Sequence, residues 1–187
     1  VIEIKKYKPD FQQELHEICL GASSNPNRNE AEQILLFLSY NDYYTAYEPQ
    51  HVLIAYDTQK KKAAGYILGC FDPDLFMQKM QEIYIPQIEK LNAKKAKQMQ
   101  EEVFYYKKMA KDYPVHLHID LLDEYQGKHI GTKLMESLLA LAKEQKKNGV
   151  ILGVSKNRPG AIAFYKKCGF VILDEDEYGL TMVQNLQ

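Results

Sequence analysis

Residues 125–135 read YQGKHIGTKLM, and the turn they make decides how the rest of the chain is read. Just before it lies VHLHIDLL, residues 115–122, whose branched and apolar residues suit a strand. Just after it, Leu134, Leu138, Leu141 and Ala142 recur at helical spacing, and Gly149 is placed as that helix's stop. A strand therefore feeds a glycine turn, and a long helix leaves it. The start of a helix carries four unpaired N–H groups and a partial positive charge. Gly127 and Gly131 let successive amides face one concavity, an arrangement that binds a diphosphate. Lys128 adds charge and the Thr132 hydroxyl adds a donor. The spacing is not that of a Walker loop, and the three glycines of the dinucleotide fingerprint are not there. Taken alone, the turn reads equally as a phosphate nest or as a packing turn.

Working outward, 187 residues that are 45% apolar suit one domain with a substantial core. A net charge of −1 gives no electrostatic case for nucleic acid. No apolar run reaches the length of a membrane span. VIEIKKYKPDF at the start has no signal-peptide core. Cys19, Cys70 and Cys168 are odd in number and scattered, which argues against a disulfide framework or a zinc site. The expectation is a cytoplasmic protein with no metal, nucleic-acid or membrane partner. The oligomeric state is not legible, so a homodimer stays open.

VIEIKKY reads as a first strand, and Asp10 is placed to cap a helix from Phe11 to about Leu20. GASSNPNRN breaks the chain, EAEQILLFLSY resumes a helical pattern, and NDYYTAYEPQ reads as an aromatic-rich loop. HVLIAYD and AAGYILGCF flank a charged turn as an antiparallel hairpin. Residues 73–112, rich in Lys, Gln, Met and Glu, read as a helical insertion that Pro86 divides in two. Ile88, Leu91, Met99, Val103 and Tyr106 form its stripe. The stripe either packs a solvated hairpin on the domain or serves a lid or wall over a substrate site. VILGVS is a further strand, Asn157 and Pro159 mark a helix start, and CGFVILDE with YGLTMVQ closes as a hairpin. The sum is an α/β chain with helices on both faces of one sheet.

Two motifs now converge. Gln126-Gly127-Lys128-His129-Ile130-Gly131 resembles motif A of the GNAT superfamily of N-acetyltransferases, with His129 in place of its central glycine. NRPGAIAFYKKCGF, residues 157–170, resembles the family's motif B through Asn157, Ala161, Tyr165, Gly169 and Phe170. The order of elements agrees apart from the insertion between the third and fourth strands. The resemblance implies a single GNAT-like domain over residues 1–187, with a mixed, mostly antiparallel sheet. It implies acetyl-CoA as co-substrate, bound where the strand ending at Leu122 splays from that of 150–155. The backbone of Leu121 and Leu122 would pair with the pantetheine arm. The amides from Gln126 through Gly127, Lys128, His129, Ile130 and Gly131 to Thr132 would hold the diphosphate. Asn157 would contact the pantetheine, and Tyr165 would stand near the thioester sulfur.

Attack by a neutral amine on a thioester needs a polarised carbonyl, a route for the amine's proton and a proton for the leaving thiolate. A backbone N–H near Leu121 to Asp123 suits the first. Tyr165 is the candidate acid; its other reading is a core tyrosine. Alternation along VHLHIDLL puts His116, His118 and Asp120 on one face. That row is read as a base pair of His118 and Asp120, as metal ligands, or as a plain polar row. Tyr40, Tyr43, Tyr44 and Tyr47 cluster on the acceptor side, as packing or as a cation–π cage. The acceptor would be a small-molecule or peptide amine. A catalytically silent CoA-binding or interaction domain, and a nucleotide-binding module, are the competing readings.

Overall fold

One seven-stranded sheet organises all 187 residues, which the computed structural model describes throughout. Its strands are β1 (Ile2–Lys6), β2 (Val52–Asp57), β3 (Lys62–Cys70), β4 (Val115–Leu121), β5 (Gly149–Ser155), β6 (Val171–Glu175) and β7 (Gly179–Asn185). They lie in the order β1-β2-β3-β4-β5-β7-β6, and only the central β4–β5 pair is parallel. This is the mixed, mostly antiparallel sheet expected from the sequence. Alternation along β3 sends Tyr66, Leu68 and Cys70 into one core and Ile67 into another, which Ala64 joins because a bulge at the β2–β3 pairing shifts the register there. The first core is closed by α1 (Gln12–Gly21), α2 (Glu30–Tyr40) and the helical insertion, the second by α7 (Ile130–Glu144) and α8 (Pro159–Lys167).

Several local expectations change. Pro9–Phe11 is a 3-10 turn, α1 begins at Gln12, and no side chain caps it, so Asp10 is not its cap. The expected aromatic loop contains a short helix, α3 (Asp42–Tyr47). Tertiary packing dictates it: Tyr43 and Tyr44 are each 1% exposed, with rings 4.8 and 6.1 Å from Phe76. Pro86 is not where the insertion folds back. A π-helical turn, Met80–Tyr84, joins α4 (Pro73–Lys79) to α5 (Ile85–Leu91), and Pro86 sits in the first turn of α5. Proline's missing N–H is tolerated at a helix start, and the wide turn relieves its ring. The break falls at Asn92, which caps α6 (Ala93–Met109) through the Lys95 amide at 2.9 Å. Nor is Gly149 the stop of α7. Lys146 takes the left-handed conformation there, φ 55°, with Lys147 N–H bonded to Ala142 O and Lys146 N–H to Lys143 O. Gly149 begins β5, where a Cβ would meet Tyr113 at 2.6 Å and the Asp112 carbonyl at 2.8 Å.

The insertion is part of the core. Ile88, Met99, Val103 and Tyr106 of the predicted stripe are buried beside Tyr44, Tyr66 and Leu68, and Ala96 joins them. Leu91 is 44% exposed and lies outside it.

The sheet opens at its centre. β4 and β5 pair only at Val115↔Val150 and His116↔Ile151. β3 follows β4 on to Leu121, and β7 follows β5 on to Ser155. The two central strands therefore part after His116, and residues 117–122 border a fork.

Candidate active site

Backbone groups of β4 face the fork in alternation. Leu122 N–H bonds to Ala64 O at 3.1 Å, toward β3. Pleating then turns the backbone N–H and C=O of Ile119 and Leu121 toward the open side. Of the two leucines placed at the pantetheine arm, Leu121 has its N–H turned to the fork and Leu122 has its N–H in use. Next comes a 3-10 turn, Asp123–Tyr125, and then the loop. From Gly127 to Thr132, six consecutive amides donate to no backbone or side-chain acceptor. They open at the N-terminus of α7, where the helix dipole adds positive potential.

The two glycines serve different ends. Gly127 has φ +71° with nothing near its missing Cβ, so it supplies conformation. Gly131 supplies space, because a Cβ there would meet Leu121 at 3.2 Å and Phe164 at 3.3 Å. His129, at φ 60°, ψ 11°, takes the left-handed angles a glycine would take, and its side chain is exposed. The substitution therefore leaves its amide free and costs backbone strain of roughly 1–2 kcal/mol. Lys128 Nζ bonds to the Glu124 carbonyl at 2.7 Å, so its charge is engaged in closing the turn. Gln126 Nε2 likewise reaches Asp123 at 3.1 Å and the Leu121 carbonyl at 3.4 Å.

On the insertion's side of the sheet, the three polar residues of β4 have three environments. His116 is 1% exposed, bonded to Tyr44 Oη at 2.8 Å and stacked on Tyr106 at 4.2 Å. Burial holds its pKa far below the ordinary value, so it is a neutral core residue. His118 lies edge-on to Tyr40 and Tyr44, each at 5.4 Å. Burial, and then the charge of Lys95, lowers its pKa to about 4, which makes it a weak base. Asp120 accepts a 2.6 Å hydrogen bond from Tyr66 Oη. Burial raises its carboxyl to about 6, opposed by that bond and by the charge of Arg158. A carboxylate at that value is ionised at neutral pH and more basic than an ordinary one. No three His, Cys, Asp or Glu side chains are grouped to hold a metal ion.

Tyr165 of α8 is 9% exposed, and Asp120, Arg158 and Cys168 all act on its phenol. Burial and then Asp120 raise its pKa, so the proton stays on. No hydrogen bond shifts it, which leaves the hydroxyl free for a further partner. Cys19 is also close to Asp120 and Tyr66, but burial pushes its thiol up to about 12. It is no thiolate nucleophile.

Against this geometry the chain can be compared with known proteins. The model of the acetyltransferase (GNAT) family matches residues 13–170. The chain belongs to the GNAT family of acetyltransferases. Solved structures agree with that fold. SsHAT superposes with a TM-score of 0.86 at 22% identity, covering 100% of this chain and 98% of its own. A GNAT-family acetyltransferase from Staphylococcus aureus Mu50 gives 0.66 at 16%, covering 100% of each. PaiA N-acetyltransferase from Thermoplasma acidophilum, solved in complex with coenzyme A, gives 0.64 at 16%, covering 99% of each.

Within this GNAT domain, the charge of Asp120 on β4 reaches the phenol of Tyr165 on α8, and the loop of residues 126–132 follows the end of β4. Asn157 is exposed and caps nothing, since α8 starts after Arg158 without a side-chain cap. Four contributors escaped the sequence reading. Tyr66 and Arg158 tune Asp120, and Tyr106 braces His116 below the fork. Tyr125 anchors the loop by donating to Asp57 Oδ2 at 2.8 Å. Tyr66 was legible in principle, because pairing the hairpin strand with VHLHIDLL sets it opposite Asp120. A separate cavity of about 440 Å³ sits at the other end of α7, beside Gln145 and Lys147. The loop is roughly 20 Å away from it along the helix, so it is not this site.

Proposed function

We propose that the protein transfers an acetyl group from acetyl-CoA to a primary amine by direct attack, with both substrates bound together. The observation that carries this reading is the convergence of Asp120, Tyr165 and six unpaired amides on one fork of the sheet. The amides of residues 127–132 fit the diphosphate of CoA, and the open edge of β4 at Ile119 and Leu121 fits an amide-bearing arm. The neighbour solved with coenzyme A supports the same donor. Asp120 takes the proton that the attacking amine must shed. Leu121 N–H polarises the thioester carbonyl. Tyr165 passes its proton to the departing sulfur, and the proton taken up by Asp120 returns to the phenolate through water, which restores both groups. No covalent enzyme intermediate is needed.

One feature favours a silent CoA-binding domain: the strained His129 at the loop. A thiol-release screen of amines with acetyl-CoA separates the two, because only the enzyme liberates CoA faster than the amine-free blank. In that screen Tyr165→Phe is expected to lower kcat by about 10- to 100-fold with KM for acetyl-CoA little changed. A variant as fast as the parent would remove Tyr165 from the chemistry.

A further inference from the structure

We propose that the acceptor is an amine that also bears an anionic group, a carboxylate or a phosphate, and that Arg28 and Lys95 receive that group. This rests on the acetyl-transfer reading above and names its second substrate by class.

The argument starts one pleat from Asp120. His118 lies on the same face of β4, about 7 Å along the strand. Tyr40 of α2 stands edge-on to His118 at 5.4 Å. Lys95 of α6 holds its ammonium 4.4 Å from the Tyr40 ring centre and donates to the Tyr40 hydroxyl. Its other acceptor is Gln98 Oε1 at 3.4 Å, which is also neutral. Arg28 lies in the segment between α1 and α2. Its charge acts on Cys19, Tyr40 and Lys95. Both cations are half-buried, and neither forms a salt bridge.

Arg28 Nε is shut off from solvent and has no hydrogen-bond partner. A hidden guanidinium N–H without an acceptor is costly, and long cationic side chains ordinarily carry their heads into water. Here Arg28 and Lys95 are close enough for the one charge to act on the other, with Tyr40 beside both. Burial lowers the Lys95 pKa, Glu102 opposes that, and Arg28 adds a smaller lowering. Glu102 is the one carboxylate that acts on Lys95; burial raises its pKa and Lys95 opposes the rise. Asp120 is no counter-ion for the pair either; its hydrogen bond comes from Tyr66 and its nearby cation is Arg158. Two cations therefore share one counter-charge and leave a guanidinium donor unpaired beside Tyr40, whose ring packs on His118 one pleat from Asp120. An oxyanion there would take the Arg28 donor and relieve the repulsion between the cations. An acceptor that spans both ends carries its anion a few bonds from its amine.

Matched pairs test this: 4-aminobutyrate against butylamine, and O-phosphoethanolamine against ethanolamine. Each is assayed by thiol release with acetyl-CoA, and by calorimetry on protein saturated with CoA. In at least one pair the anionic member is expected to show kcat/KM and affinity higher by about tenfold or more. Which pair shows it tells carboxylate from phosphate. Arg28→Gln should collapse that ratio through KM, and Arg28→Lys should restore part of it. Equal performance within both pairs, no heat from either anionic amine, or an Arg28→Gln loss that falls equally on both members would overturn the proposal. Arg28-dependent heat without thiol release would leave the anion site standing and instead defeat the acetyl-transfer reading.

Discussion

Replacing Asp120 by Asn is expected to lower kcat/KM at pH 8 by about a hundredfold or more and, at the same time, to raise Tm. The first effect follows from losing the group that accepts the amine's proton, a step worth roughly 10²- to 10⁴-fold. Asn keeps an oxygen for the Tyr66 hydrogen bond, so geometry should survive. The second effect follows from linkage. The carboxyl is raised to about 6 in the folded chain, above its ordinary value. Between the two values the folded state binds the extra proton, so this group lowers stability as pH rises, and the penalty is complete above pH 6. An uncharged amide escapes it, and Tm at pH 8 should rise by about a few degrees. The parent's kcat/KM should also climb with pH through about 6, a limb the variant lacks. A variant that keeps both its rate and that limb would show that Asp120 is not the base.

The second large effect concerns His129. His129→Asp is expected to weaken acetyl-CoA binding by roughly 10- to 100-fold while leaving Tm equal or higher. Asp tolerates left-handed angles. A negative charge at a helix N-terminus stabilises by about 0.3–1 kcal/mol. The same charge stands beside the amides meant for a diphosphate, where repulsion at an effective dielectric of about 20 reaches about 3 kcal/mol before salt screening. Gain in stability with loss of affinity separates this from simple misfolding. His129→Gly is the companion: it should relieve strain, raise Tm by about 2–4 °C and leave binding intact or better. Unaltered affinity in His129→Asp, read by thermal shift across an acetyl-CoA series, would mean that the diphosphate lies elsewhere.

Much of this architecture was legible because local signals and tertiary demand agree. The Val- and Ile-rich strands, the Leu134–Leu138 stripe and the Gly127 turn each satisfy pattern and packing together. The misreadings fall where packing overrode local chemistry. Tyr43 and Tyr44 look like loop residues by neighbourhood, yet burial against Phe76 and His116 winds them into a helix. Pro86 looks like a breaker, but a π-helical turn absorbs it. Gly149 looks like a helix stop, while a lysine accepts the left-handed angle and the glycine is spent on close strand packing. In the site, alternation alone put His118 and Asp120 on one face. It did not foretell how differently the two would titrate, because that depends on Tyr66, Arg158 and Lys95, which come from three other elements. Asn157 shows the converse for the cap: the residue type suits one, yet α8 starts after Arg158 with no side chain capping it.

The claim beneath the rest is that the unpaired amides at the start of α7 hold the diphosphate of CoA. Calorimetric titration of the folded protein with acetyl-CoA, and in parallel with S-acetyl-pantetheine, which lacks the diphosphate, tests it most directly. Saturable one-to-one heat with acetyl-CoA, and affinity for the truncated thioester weaker by about a hundredfold or more, is the predicted result. No heat with acetyl-CoA at millimolar concentration, or equal affinity for the two thioesters, would contradict it.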